Sequence, residues 1–287
     1  MLTRLRTYAS FVRISHTVFA LPFALVGALL AVRSGTAAAW SWTRFGWILC
    51  CMFTARSAAM GFNRLADAAH DATNPRTAMR EIPAGRMSRA EGGAFVVVTS
   101  VSFLASAWMV SPLCVALAPV ALAIVFWYSL AKRFTHYAQL FLGLAMAVAP
   151  VGGWIAMGGP LAPEPFLLGV AIGTWVGGFD VLYACQDYDV DVREGMRSIP
   201  VKFGIPGSLR ISRAMHVVTV VALVGVGLVA GLNGVYVAGV AGVSALLVYE
   251  QSLVSADDLS QVKRAFDLNG WVGILYLATT AVSVVAR

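Results

Sequence analysis

Long apolar runs separated by short polar loops decide what this chain can fold into. Each run approaches or exceeds the roughly 20 residues that cross a bilayer as a helix. Of 287 residues, 59% are hydrophobic and only 12% are charged, against about 25% charged in a soluble domain. Alternating apolar and polar strand patterns are absent, so helices are the spanning structure that remains. The first run lacks a small-residue cleavage site and leads into further spans, which predicts a retained helix rather than a signal peptide. The chain therefore reads as an all-α polytopic membrane protein forming one domain over residues 1–287. Nine spans are predicted, at about 14–33, 41–66, 91–111, 112–131, 138–158, 163–186, 208–231, 232–254 and 266–286. The third and fourth are divided by a Pro-containing turn at Ser111–Leu113.

The basic residues set an orientation. Arg4, Arg6 and Arg13 precede the first span, and Arg64, Arg76, Arg80, Arg86 and Arg89 follow the second. Lys132 and Arg133 follow the fourth; Arg193, Arg197, Lys202, Arg210 and Arg213 follow the sixth; Lys263 and Arg264 follow the eighth. These are 17 of the 21 Lys and Arg, all on one side. The excess predicts a cytoplasmic N-terminus and cytoplasmic basic loops, with the C-terminus outside. The net charge of +7 fits this orientation and anionic lipid or substrate. It gives no support for nucleic acid. Cys50, Cys51, Cys114 and Cys185 sit in apolar helix patterns and read as small buried residues. His16, His70, His136 and His216 are scattered and suggest no zinc site.

Against this apolar background two acidic segments stand out. The first, NRLADAAHD, spaces Asn63, Asp67 and Asp71 at i, i+4 and i+8, on one helix face. The second, YACQDYDVD, repeats the spacing in Asp187 and Asp191, with Asp180 and Tyr183 close to the same face and Gln186 beside them. The offset between Asn63–Asp67–Asp71 and Tyr183–Asp187–Asp191 is 120 residues, which predicts two similar halves of about four helices with a ninth appended. A charge in hydrocarbon costs about 2.5–3.5 kcal/mol on insertion scales, so Asp180 needs a cation, a partner side chain or water. Clustered carboxylates repel one another and call for a cation. Hard oxygen ligands with few histidines suggest Mg2+, which commonly bridges carboxylates to a diphosphate. Arg76, Arg80, Lys132, Arg133, Arg197 and Lys202 gather on the same side to neutralise the remaining phosphate charge. A diphosphate with a lipid tail would explain a site of this kind in a membrane protein. A single DxxxD at a helix end is ordinary solvated surface; two matched copies favour a site.

Arg56 lies seven residues before Asn63, two turns deeper on about the same face. An arginine at that depth must pair, either with the carboxylate of a ligand or with Asp180. His16 either lines a cavity or packs near the end of the first span.

The segments NRLADAAHDATNPRT and YACQDYDVDVREG resemble the two aspartate-rich motifs of the UbiA superfamily of intramembrane prenyltransferases. RISHTVFALPFAL, YSLAKRFT and SIPVKFG resemble the family's first helix, its segment after the fourth helix and the stretch after its second motif. The resemblance covers essentially the whole chain. It implies nine helices around a central cavity, with a cytoplasmic cap built from the 2–3 and 6–7 loops. It also implies Mg2+-dependent transfer of a polyprenyl group from a polyprenyl diphosphate to an aromatic acceptor. By motif match, Asn63, Asp67, Asp71, Asp187 and Asp191 would hold the metal–diphosphate, with Arg76, Lys132 and Lys202 as matching basic positions. Many relatives open the first motif with Asn-Asp, whereas this chain has Asn63–Arg64, one acid fewer.

GFDVLYACQD and NPRT look closest to the 4-hydroxybenzoate polyprenyltransferase-like branch, which includes futalosine-route enzymes acting on 1,4-dihydroxy-6-naphthoate. That implies ubiquinone or menaquinone biosynthesis in a bacterial inner membrane. Within the implied chemistry, Asp191 is the candidate for assisting phenol deprotonation. Phe19, Phe23, Phe62 and Tyr183 are aromatic candidates for stabilising an allylic cation, against ordinary packing. Other acceptors (haem, chlorophyllide, a glyceryl phosphate lipid) would keep the same chemistry. A transporter is the competing class, but the charges cluster at one face and the repeats are not inverted.

Overall fold

The computed structural model describes residues 2–12, 21–35 and 41–286. Arg13, His16 and Phe19 lie outside the described residues. The helices are α1 (Leu2–Phe11), α2 (Leu21–Arg33), α3 (Trp42–Ala66), α4 (Ala68–Thr73), α5 (Arg89–Val110) and α6 (Pro112–Ala131). They continue with α7 (Ala138–Ala156), α8 (Pro163–Ala184), α9 (Tyr188–Arg193), α10 (Ile199–Val229), α11 (Gly234–Ser252) and α12 (Val262–Val285). Among the described residues eight helical segments are long and apolar enough to cross a membrane, and α2 is a shorter apolar helix. The protein is an all-helical polytopic membrane protein. Bulky apolar side chains such as Val101, Trp108, Val120, Val221, Leu228 and Trp271 are exposed along the spans. In water this would be an aggregating surface; in a bilayer it is the lipid-facing one.

Two boundaries differ from expectation for physical reasons. The segment expected from residue 208 begins at Ile199, because Ser198 caps it through its hydroxyl to the Val201 amide and Pro200 occupies the first turn. Gly204, at φ 67°, then kinks the helix before Pro206. The basic and apolar residues of α1 form a short helix that hydropathy alone does not register as a span. The break expected at Ser111–Leu113 falls at Ser111, between α5 and α6.

The chain forms two compact units, residues 1–18 with 42–130 and residues 19–41 with 131–287. In the first, α3 lies along α5, and Ala58, Phe103, Ala107, Ala118 and Leu122 share one core. Helix α5 opens on a capping box in which the Glu91 amide donates to the Ser88 hydroxyl and the Ser88 amide to the Glu91 carboxylate. Phe11 at the end of α1 is fully buried and stands edge-on to Phe95, centroids 5.6 Å apart.

In the second unit α8 packs between α7 and α10, and α2 packs on α7 and α12. Helix α2 thus groups with the later helices rather than with α1 and α3, its neighbours in the chain. Glycines explain the grouping. A Cβ on Gly27 would strike the Pro150 carbonyl, one on Gly153 the Ala24 carbonyl, and one on Gly143 the Gly173 carbonyl. Lipid tails are as apolar as leucine, so close backbone packing at small residues is what drives such helices together.

Arg33 closes the end of this unit remote from the second acidic segment. Its guanidinium donates to the carbonyls of Ala230 (3.1 Å), Gly231 (2.7 Å) and Ser283 (3.3 Å), covering the C-terminal ends of α10 and α12. An arginine on the sparsely charged side therefore has a structural role.

Gly153→Val should force α2 from α7 at a cost of about 1–3 kcal/mol or more, read as lost yield of monodisperse protein in detergent. Arg33→Ala should lower stability by about 2 kcal/mol, measured as a reduced thermal midpoint, with little change in activity at low temperature.

Candidate active site

Both acidic segments are built by one device: a long helix breaks at an aspartate and resumes as a six-residue helix. Helix α3 ends at Ala66, Asp67 takes φ −90°, ψ 3°, and α4 follows. Helix α8 ends at Ala184, a 3-10 turn covers Cys185–Asp187, Asp187 takes φ −95°, ψ 3°, and α9 follows. Neither aspartate spends its side chain on capping the helix after it. One turn on, Asp71 and Asp191 are buried, at 3% and 0% exposure. The 120-residue echo is thus also an echo of backbone conformation.

In the first segment the amide of Asp67 donates to the Asn63 carbonyl (2.9 Å) and that of Asp71 to the Asp67 carbonyl (2.8 Å). The helical path survives the break, so the i, i+4, i+8 face is preserved. The Asn63 side-chain amide donates to Asp67 Oδ2 at 3.1 Å. Asp71 is held by Arg80, whose Nη1 lies 2.6 and 2.8 Å from its two oxygens. The turn after α4 delivers Arg80: Asn74 accepts the Arg76 amide at 2.9 Å, and the Thr77 hydroxyl donates to the Asp71 carbonyl at 3.1 Å. The counter-charge expected from a bound cation is therefore supplied at Asp71 by the chain itself. Removing one partner of a buried pair costs about 3–5 kcal/mol, so Asp71 and Arg80 depend on each other at this depth. Sequence alone groups Arg80 with the phosphate-facing basic residues; its observed partner is an acid. Arg76 itself is exposed.

In the second segment Asp187 is 8% exposed and Asp191 fully buried, while Asp180 is half-buried on α8. Tyr183 packs its ring on Phe266, centroids 4.7 Å apart. Gln186 is exposed and its side-chain amide donates to the Tyr183 carbonyl at 3.3 Å. Among the basic residues, Lys132 is half-buried and Arg133 exposed. Lys202 is exposed, donates to the Tyr137 hydroxyl at 2.8 Å and stands 4.7 Å from that ring's centroid. Arg197 donates to the Phe134 carbonyl at 2.8 Å, so its charge is engaged by backbone. Arg56, midway along α3, keeps its Nε buried and without a hydrogen bond to the described chain, and Tyr128 is its electrostatic neighbour. Phe62 stacks on Phe126 at 4.6 Å and Phe23 packs on Trp175 at 4.8 Å, each an ordinary packing contact. The roles of Arg80, Arg197 and Tyr137 escape sequence reading; the only hints are the turn formers Asn74–Pro75 and Gly195 that bring them round.

Among the described residues no three of His, Cys, Asp and Glu converge as a metal cage. Each segment instead offers two carboxylates, and the first adds an amide. That donor set fits Mg2+, which retains several waters and needs only one or two carboxylates.

The UbiA prenyltransferase family matches residues 20–275. A 4-hydroxybenzoate octaprenyltransferase of Vibrio parahaemolyticus is 34% identical over 225 residues, 78% of either chain. The apo structure of a UbiA homologue from Aeropyrum pernix superposes with TM-score 0.85 at 32% identity, covering 93% of this chain and 97% of that one. A UbiA homologue from Archaeoglobus fulgidus bound to GPP and Mg2+ shares the fold, with TM-score 0.73 at 19% identity over 98% and 100% of the two chains. The chain belongs to the UbiA prenyltransferase family.

Proposed function

We propose that this protein transfers a polyprenyl group from a polyprenyl diphosphate to the ring of a phenolic acid, with 4-hydroxybenzoate as acceptor, in quinone biosynthesis at the cytoplasmic face of a bacterial inner membrane. The observation that carries the proposal is the acidic helix break built twice, at Asp67–Asp71 and Asp187–Asp191, with the same backbone angles and a buried second acid. The relatives named 4-hydroxybenzoate octaprenyltransferases support the acceptor. The excess of Lys and Arg in the loops that carry the acids supports the orientation.

Asn63, Asp67 and Asp71 from the first segment, and Asp187 and Asp191 from the second, would hold Mg2+. When bound, the metal supplies charge neutralisation to the departing diphosphate. The residues of the chain do the rest. Lys132, Arg133, Arg76 and Lys202 provide positive charge for the remaining phosphate oxygens. The allylic C–O bond ionises as the diphosphate leaves, and the ring carbon ortho to the phenol attacks the allylic carbon while Asp191 takes the phenolic proton. The attacked carbon then gives up its hydrogen as a proton and Asp191 returns the phenolic one, restoring the aromatic phenol. Tyr183, held by Phe266, offers a ring face to the cationic carbon. Apolar walls exclude water that would quench it. Arg56 receives the acceptor's carboxylate, which its buried Nε, without a hydrogen bond among the described residues, supports.

Membranes containing the protein, with geranyl diphosphate, Mg2+ and 4-hydroxybenzoate, should form prenylated acid. EDTA should abolish product, and Asp187→Asn should reduce turnover by at least about 100-fold. Efficient prenylation of 1,4-dihydroxy-6-naphthoate in place of 4-hydroxybenzoate would move the protein to the menaquinone route; no product with any acceptor would refute the assignment. Arg56→Leu should raise the KM for the acceptor about 10- to 100-fold while leaving that for the prenyl diphosphate nearly unchanged. The reverse pattern excludes the carboxylate role.

A further inference from the structure

The chain after the second acidic segment is accounted for bond by bond, and it leads to a basic turn. Helix α9 ends with the Gly195 amide donating to the Val192 carbonyl (3.3 Å) and the Met196 amide to the Asp191 carbonyl (2.8 Å). Gly195, at φ 67°, takes the left-handed position that this helix ending requires. The chain leaves in the direction of the turn after α6. There the Arg197 amide donates to the Lys132 carbonyl at 3.1 Å, and Arg197 Nη1 donates to the Phe134 carbonyl at 2.8 Å. Two residues on, the Ile199 amide donates to Oε1 of the fully buried Gln139 at 3.3 Å. Lys202 closes the series on the Tyr137 hydroxyl. Four hydrogen bonds thus lace residues 132–139 to residues 197–202, and the first pair begins six residues after Asp191.

We infer that Arg197 is a positioning residue that fixes the Lys132 turn against the second acidic segment by binding the Phe134 carbonyl. Arg197 is exposed, but its guanidinium is committed to a backbone oxygen of that turn. Within the turn the Phe134 and Thr135 amides donate to the Ala131 carbonyl at 3.1 and 2.9 Å, bonds that fold the turn but do not tie it to the second acidic segment. Without the strap, the backbone that carries Lys132 would lose a side-chain tie to the segment that follows Asp191. A metal–diphosphate needs the acid pair and its counter-charge at one fixed separation, because misplacement of a binding group by about 1 Å costs rate and affinity. The inference rests on the diphosphate reading of Lys132 given above.

A double-mutant cycle tests it. Arg197→Met removes the side-chain bond and leaves the Arg197 backbone bond to Lys132 possible. In the otherwise unchanged protein it should raise the KM for geranyl diphosphate about 10-fold, with a smaller change in kcat. Arg197→Lys, which can still reach one carbonyl, should restore most of the loss. In a Lys132→Met background the same Arg197→Met change should alter KM less than about 2-fold, since its effect passes through Lys132. Hydrogen exchange in detergent gives a readout independent of catalysis: Arg197→Met should speed exchange of amides in 134–137 and leave α9 unchanged. Effects of Arg197 and Lys132 that multiply, or exchange that does not change, overturn the inference. A Lys132→Met protein with unaltered KM instead removes the diphosphate role of Lys132, and with it the purpose of the strap, while the exchange result still reports whether the strap exists.

Discussion

A carboxylate carried below the reach of bulk water is costly unless it is paired, and Asp71 meets that condition through Arg80. The helix break at Asp67 lets α4 carry Asp71 into a buried position, and the turn through Asn74 returns Arg80 to meet it. The second segment repeats the break at Asp187 and buries Asp191 completely. Each long helix therefore stops being a simple membrane span at the level where acids become useful. Breaking and restarting the helix keeps most backbone groups bonded, which an open loop at the same depth would not. The short helices α4 and α9 are the compromise between carrying charge and satisfying backbone.

Around the second segment, packing sets the accuracy of the site. Helix α8 is flanked by α7 and α10, and its glycines let neighbours approach to backbone contact. The hydroxyl of Ser212 donates to the Gly178 carbonyl at 2.7 Å, and Gln251 donates to Ser212 at 2.7 Å. Trp175 donates to Asn269 at 2.7 Å. These bonds tie α8 to α10 and α12, and α10 in turn to α11. Dispersion and polar contacts replace the hydrophobic drive that the bilayer has removed.

The sequence made the spans legible because hydropathy reports length directly, and the acids legible because i, i+4 spacing survives wherever the backbone stays near helical. The matched offset of Asp67 and Asp187 was legible as spacing; that both take the same break was not, since DxxxD reads equally well as unbroken helix. The early start of α10 was signalled by Ser198 and Pro200 but masked by Gly204, which cuts the apolar pattern. The partners of the basic residues were the least legible part. An arginine reaches across several residues of side chain, so its target depends on turns rather than on spacing. Arg80 finds Asp71, Arg197 finds a carbonyl and Lys202 finds a phenol ring, though all three look alike in a count of positive charge.

Arg33 gives the second unit an asymmetry. One guanidinium gathers three carbonyls from the far ends of α10 and α12. That end behaves as a clasped spine. Helices joined at a spine can fan only at their opposite edge, so any breathing of this unit as a large substrate enters or a product leaves is concentrated at the edge that carries Asp187.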